Sequence, residues 1–260
     1  MISTAPPDPA FRIDVRFQGG LTAAQRAAFA TAAERWSEIV GADVPSVVID
    51  GETIDDVRID AEGTAIDGPG SVLGQAGPLD LRPGSFIPAT GVMSFDSADL
   101  AQMESDGSLV NVIVHEMGHV LGFGTIFDRV GLIAGAGGPD PQFTGANALR
   151  EYAALLGPAT RPRSVPLANV GGPGTRDGHW REDTFANELM TGILDDGANP
   201  VSRLTIAAFE DLGYTVDYAR ADAYRLPSAG ELQALQARHM HNCVIEVPEQ
   251  RVLPDSALEG

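Results

Sequence analysis

Lysine is absent from this chain of 260 residues, and all 17 of its basic residues are arginine. Chemistry that needs a lysine amine, such as a Schiff base or a phosphate-loop lysine, is therefore excluded. Positive charge of any kind is scarce: 17 basic residues face 36 acidic ones, for a net charge of −19. Such a surface repels phosphate backbones and anionic lipid, so no nucleic-acid partner is expected. A single cysteine, Cys243, rules out a disulfide within the chain and leaves the compartment open. No apolar run approaches the roughly 20 residues of a membrane-crossing helix, so no membrane span is expected. Residues 1–9 lack the basic start and apolar centre of a signal peptide.

What is present is enough apolar material, 43 % of residues, to bury a core in one large domain or two small ones. Phe11-Arg12-Ile13-Asp14-Val15-Arg16-Phe17 alternates apolar and polar and reads as a strand with one buried face. Thr22 and Gln25 form a capping-box pattern at the start of a helix. Its apolar stripe runs through Phe29, Ala32, Ala33, Trp36, Ile39 and Val40 and stops at Gly41. Residues 46–49 and 57–61 read as short strands, 72–75 as a weaker one and 91–96 as a better one. A short helix is expected within 96–105, and Ser108 is placed as the cap of a longer helix over 109–121 that Gly122 ends. Beyond Gly124 the chain turns rich in Gly, Pro and Asn over 131–148 and 157–178, around a helical patch at 146–156. Long irregular stretches of this kind inside an ordered domain usually carry function. Further helices are expected at 202–212 and 229–238, and Val244-Ile245-Glu246-Val247 is strand-like.

The chemistry concentrates in His115-Glu116-Met117-Gly118-His119, on the helix expected over 109–121. Side chains four apart on a helix project from one face, one turn above the other. Two imidazoles at that spacing can bind one metal ion, and Glu116, offset around the helix, can act on water beside it as a general base. A catalytic zinc site takes three protein ligands and keeps one position open. In the compact zinc-protease pattern a third histidine follows the helix-ending glycine by three residues, but here that position is Thr125, a poor ligand. Among the five histidines, His179 in Gly178-His179-Trp180 is the best candidate for the third.

The run 115–124, then Gly178-His179-Trp180, then Glu188-Leu189-Met190-Thr191-Gly192 resemble the leishmanolysin family of metzincin zinc metalloendopeptidases, in a bacterial-type form. In that family an insertion separates the helix-ending glycine from the third histidine, which would account for Thr125. The resemblance covers roughly residues 91–214. It implies His115, His119 and His179 as ligands of one Zn2+, Glu116 as general base, and Met190 as the turn methionine beneath the imidazoles. The fold implied is α+β: an N-terminal twisted mixed sheet with two helices, the second carrying the histidine pair. A smaller, irregular C-terminal subdomain would hold the methionine turn and a helix. The division expected is 1–124, ending in the zinc helix, 125–220 with the Gly-rich insertion and third histidine, and 221–260 as an extension. The activity implied is hydrolysis of peptide bonds in extended protein substrates by a monomer, in a secreted, extracellular or periplasmic setting. The alternative on the same scaffold is a non-catalytic zinc-bearing binding or adhesion module, against which the intact Glu116 argues.

Gly91, Val92, Met93, Ser94 and Phe95 are the candidate edge strand for pairing with a peptide. His239, His241 and Cys243 form a cluster read chiefly as a partly buried tail, with a second metal site or a thiolate cap on the zinc as alternatives. Asp195-Asp196 and Asp55-Asp56 match calcium-loop chemistry loosely and read as surface turns, so Ca2+ has weak support.

Overall fold

Apolar periodicity translates into an α+β arrangement in the computed structural model, which describes residues 10–70, 72–172, 174–194, 197–235, 241–242 and 248–258. The alternating segment forms β1, Ile13–Gly19, and the striped segment forms α1, Ala23–Ile39. The capping box is complete: Thr22 Oγ1 accepts from the Gln25 N–H and Gln25 Oε1 accepts from the Thr22 N–H. A small hairpin follows, β2 (Val47–Ile49) with β3 (Glu52–Ile54), then the strands β4 (Val57–Thr64), β5 (Gly74–Leu81) and β6 (Pro88–Asp96). Two helices come next, α2 (Leu100–Asp106) and α3 (Leu109–Val120). The histidine-bearing helix is therefore the third, not the second: a short helix stands between it and α1. Ser108 makes no side-chain cap bond to α3.

The second half is built from short pieces: β7 (Ile133–Ala134), β8 (Gln142–Phe143), α4 (Ala146–Leu156), β9 (Val165–Pro166), α5 (Glu182–Phe185) and β10 (Ile193–Leu194). After these come α6 (Arg203–Asp211), α7 (Ala229–Leu235), β11 (His241–Asn242) and β12 (Arg251–Val252).

The main sheet has the order β1-β4-β6-β5-β12. β1, β4 and β6 run parallel, β5 runs antiparallel to β6, and β12 joins β5 in parallel at Asp80 and Leu81. Residues 251–257 thus return to the N-terminal sheet: Leu253 and Ala257 bury against Val47, Ile49, Ile54 and Ala89. Helices α1 and α3 pack together, and Trp36 Nε1 donates to the Val114 carbonyl across them at 2.8 Å. The sheet meets α3 closely at Gly91, where a Cβ would stand 2.5 Å from Val120 Cγ1 and 2.8 Å from the Gly77 carbonyl oxygen.

That placement corrects the candidate substrate strand. Gly91, Val92, Met93, Ser94 and Phe95 lie in β6, with β4 on one side and β5 on the other. Their backbone groups already serve two neighbours. The strand with an open flank is β5, whose outer edge from Gly74 to Pro78 has no strand partner among the described residues. Its Gly and Pro content hides it from strand propensity, yet an edge position tolerates both.

Candidate metal centre

Burial fixes the histidine pair before any hydrogen bond does. Every residue of α3 from Val112 to Val120 is buried, so His115, Glu116 and His119 sit inside the molecule. Gly122, at φ +112, ends the helix, and the chain folds back so that Gly124 touches Gly178. A Cβ at Gly124 would lie 2.1 Å from the Gly178 carbonyl oxygen, and its own φ of +74 suits glycine. This contact brings the residue before His179 onto the end of the zinc-motif helix.

His179 is then held by a small ladder. Its carbonyl accepts from the Ala168 N–H at 2.9 Å, and the Trp180 N–H donates to the Met190 carbonyl at 2.8 Å. Trp180 bridges Leu167 on one side and Thr191 on the other. His179, 60 residues beyond His119, lies with the pair on α3. The three Nε2 atoms stand 2.9 Å (His115–His119), 3.1 Å (His119–His179) and 3.2 Å (His115–His179) apart. Tetrahedral coordination at about 2.0–2.1 Å needs donors only slightly wider than this, about 3.3–3.4 Å.

Each ring is oriented by its other nitrogen. Nδ1 faces the Leu189 carbonyl in His115 (2.6 Å), the Phe123 carbonyl in His119 (2.8 Å) and the Thr175 carbonyl in His179 (3.0 Å). A carbonyl can only accept, so each Nδ1 carries the proton and each Nε2 turns a lone pair to the common centre. Burial, reinforced for His119 and His179 by neighbouring imidazoles, drives the rings toward the neutral form. His115 is held down to about 4, His179 to about 3, and His119 well below 6.5. Three neutral lone pairs at this separation have no hydrogen bond to share, and a cation between them would resolve the conflict. His115, His119 and His179 could hold a metal ion.

Met190 is fully buried, its Sδ and Cε each 3.0 Å from the position a Cβ on Gly118 would take. Glu116 lies beside Gly74 at the start of β5, where an added Cβ would be 3.5 Å from Glu116 Cγ. Glu188 is a residue whose importance the spacing of motifs does not reveal. Its buried carboxylate accepts from the Met190 N–H (2.7 Å), the Ser202 N–H (3.1 Å) and the hydroxyls of Ser202 and Thr205 (2.6 Å each). It ties the methionine turn to the start of α6, and thereby fixes Leu189, whose carbonyl orients His115.

Other sequence candidates fare differently. Asp56 is buried and is no surface turn: its carboxylate accepts from the Val44 N–H at 2.9 Å and the Arg12 N–H at 2.7 Å. With Asp43 and Asp55 it makes a second group that could hold an ion. His239, Cys243, Asp195, Asp196 and the segment 244–247 lie outside the described residues, as do residues 1–9. The backbone of His241 pairs with Leu194 in the β10–β11 ladder. No helix among the described residues is long and apolar enough to cross a membrane.

Comparison with known proteins places these features in a wider set. A family model described as leishmanolysin matches residues 82–250. Curated relatives include the leishmanolysin homolog of Crithidia fasciculata, 32 % identical over 146 residues, covering 53 % of this chain and 22 % of that protein. The leishmanolysin of Leishmania donovani is 30 % identical over 143 residues, 52 % of this chain and 24 % of the relative. That of Leishmania amazonensis is 32 % identical over 143 residues, 52 % and 23 % of the two chains. The chain spans less than a quarter of the length of these relatives.

Proposed function

Because this chain belongs to the leishmanolysin family, we propose that it is a zinc-dependent endopeptidase in which Glu116 is the general base. The convergence of the three Nε2 atoms, 2.9–3.2 Å apart, is the observation that carries this reading. Zn2+ held by His115, His119 and His179 would supply a Lewis acid for the scissile carbonyl and lower the pKa of water toward neutrality. The chain's own residues supply the rest. The carbonyls of Leu189, Phe123 and Thr175 hold the imidazoles in the ligating tautomer. Glu116, one residue from His115 on the same turn, takes a proton from the attacking water and returns it to the departing amine. Its burial beside Gly74 shields that transfer from bulk solvent.

A peptide substrate would lie extended along the outer edge of β5 between Gly74 and Pro78, pairing backbone to backbone. This replaces the interior strand 91–95 in the role of substrate edge and sets the peptide beside Glu116. Met190 serves as an apolar floor and ligates nothing.

The decisive experiment is Glu116→Gln assayed on casein, with zinc content measured in parallel. Zinc should be retained while activity falls by about 10²–10⁴-fold, and a chelator should abolish cleavage by the unmodified protein. Cleavage at an undiminished rate by the glutamine variant would remove Glu116 from its role. A zinc-loaded chain that cuts no protein or peptide would instead leave a non-catalytic zinc module.

A further inference from the structure

After residue 240 the chain returns to the metal centre twice, once on each wall. β11, His241–Asn242, pairs antiparallel with β10, Ile193–Leu194. Gly192, the residue before β10, abuts the third imidazole: an added Cβ there would stand 3.8 Å from His179 Cγ. Eight residues beyond Asn242, Gln250 is fixed at the far end of the histidine-bearing helix. Its Nε2 donates to the Thr125 carbonyl at 3.0 Å, and its Oε1 accepts from Arg129 Nε at 2.7 Å. Thr125 Oγ1 in turn donates to the His119 carbonyl at 2.8 Å. Gln250 also walls a cavity of about 380 Å³ with Gly124, Thr125, Phe127 and Asp177.

β12 then joins β5 in parallel, with Arg251 opposite Asp80 and Val252 opposite Leu81. Strands of a parallel pair run the same way, so residues 248–250 enter from the Pro78 end of the open edge of β5. A substrate backbone would pair along that same edge. The returning chain is held in two different ways. Leu253 and Ala257 bury in an apolar cluster, and the Leu253 N–H donates to the Leu81 carbonyl at 2.9 Å. Just upstream the hold is polar. Arg251 meets Asp80 Oδ1 through Nε at 2.8 Å and Nη2 at 2.7 Å, with 61 % of its side chain exposed. An exposed ion pair and the two bonds of Gln250 each contribute little. The anchor at 253–257 is therefore lasting, whereas the latch at 250–252 can release.

We propose that this return is an autoinhibitory contact. The backbone of His241–Asn242 on β10 and the latch Gln250–Val252 beside β5 occupy the two approaches to the metal centre. An extended peptide binds by displacing them while Leu253 and Ala257 stay in place. The inference rests on the endopeptidase reading and supplies its regulation. The apparent affinity for a peptide is then the intrinsic affinity reduced by the fraction of molecules whose latch is open.

The test loosens the latch from both sides in the full chain. Gln250→Ala combined with Arg251→Ser removes it from the returning segment, and Arg129→Ala removes it from the opposing one. Fluorescein-labelled oxidised insulin B chain is titrated into zinc-loaded Glu116→Gln protein with and without these changes. The unlabelled chain is offered to the matching proteins that keep Glu116. Binding should tighten about tenfold in the double variant and less in Arg129→Ala, with kcat/KM rising by the same factors. Deleting side-chain contacts from a merely structural surface would leave binding unchanged or weaken it, so a gain is specific to a released latch. In whichever variant melts cooperatively, unchanged or weaker binding overturns the proposal. Tighter binding with no cleavage by any of the proteins would sink the endopeptidase reading and keep the latch; equal binding with equal cleavage throughout would do the reverse.

Discussion

In residues 10–124, regular secondary structure sets the geometry of the metal centre. His115 and His119 are placed by one helix, and that helix is placed by a mixed sheet and by α1. Residues 125–194 reach the same point without any helix or long strand carrying His179. There His179 is positioned by a glycine-to-glycine contact, a three-segment ladder and one buried carboxylate. The first region distributes its control over many apolar contacts, so single changes are buffered. The second concentrates control in a few polar groups, each of which should matter more for the ion than for the fold.

The largest effect is expected where the two regions face each other without an ion. The folded state keeps the three histidines neutral, with His115 held to about 4 and His179 to about 3, against 6.5 when unfolded. Between those values the unfolded chain binds more protons, so stability falls as the pH falls. Chelated protein should therefore lose melting temperature from pH 6.5 down through pH 4. The triple variant His115→Gln, His119→Gln, His179→Gln should lose less over the same range. Parallel curves for the two proteins would show that the rings titrate freely.

Next comes Glu188→Ala. Four donors converge on this carboxylate, and leaving buried donors unpaired costs on the order of 1–3 kcal/mol. Zinc affinity should drop as well, by about 10–100-fold, because the Leu189 carbonyl that orients His115 loses its anchor. Denaturant titration and competition with a chromogenic chelator measure the two effects. Gly91→Ala is the matching perturbation in the sheet. Its Cβ would press on Val120 Cγ1 and the Gly77 carbonyl, an overpacking worth about 1–3 kcal/mol. Its zinc affinity should change less than that of Glu188→Ala at comparable destabilisation. An equal loss of affinity in both variants would erase the distinction between the two regions.

The same distinction explains what the sequence revealed. Apolar stripes and caps made α1, α3, α4 and α6 legible to within a residue or two, since periodicity is a property of neighbours along the chain. Two of the three proposed ligands were legible for the same reason, being one turn apart on α3. His179 was reachable only by elimination and family resemblance, because the contact between Gly124 and Gly178 that seats it leaves no periodic trace. β5 was understated at residues 72–75 because Gly74, Gly77 and Pro78 depress strand propensity, and its role as the open edge passed to 91–95. An interior parallel strand and an edge strand differ in what pairs with them, and no local pattern in 91–95 records that β5 covers its second side. Glu188 was legible only as part of the run 188–192 and not as an anchor, because its four donors come from Met190, Ser202 and Thr205, up to 17 residues away.

The smallest expected effect tests the second region most sharply. Met190→Leu alters the side chain that packs at Gly118 while leaving the turn's bonds intact. The Met190 N–H still donates to Glu188 Oε2 and its carbonyl still accepts from the Trp180 N–H, since both are backbone groups. Leucine nearly conserves volume, so the stability loss should be below about 1.5 kcal/mol. If the polar scaffold alone positions the ligands, zinc content after dialysis should remain one per chain. Zinc loss at that modest destabilisation would mean that the thioether, pressed at 3.0 Å against the Cβ position of Gly118, sets the helix at a height the backbone bonds do not fix.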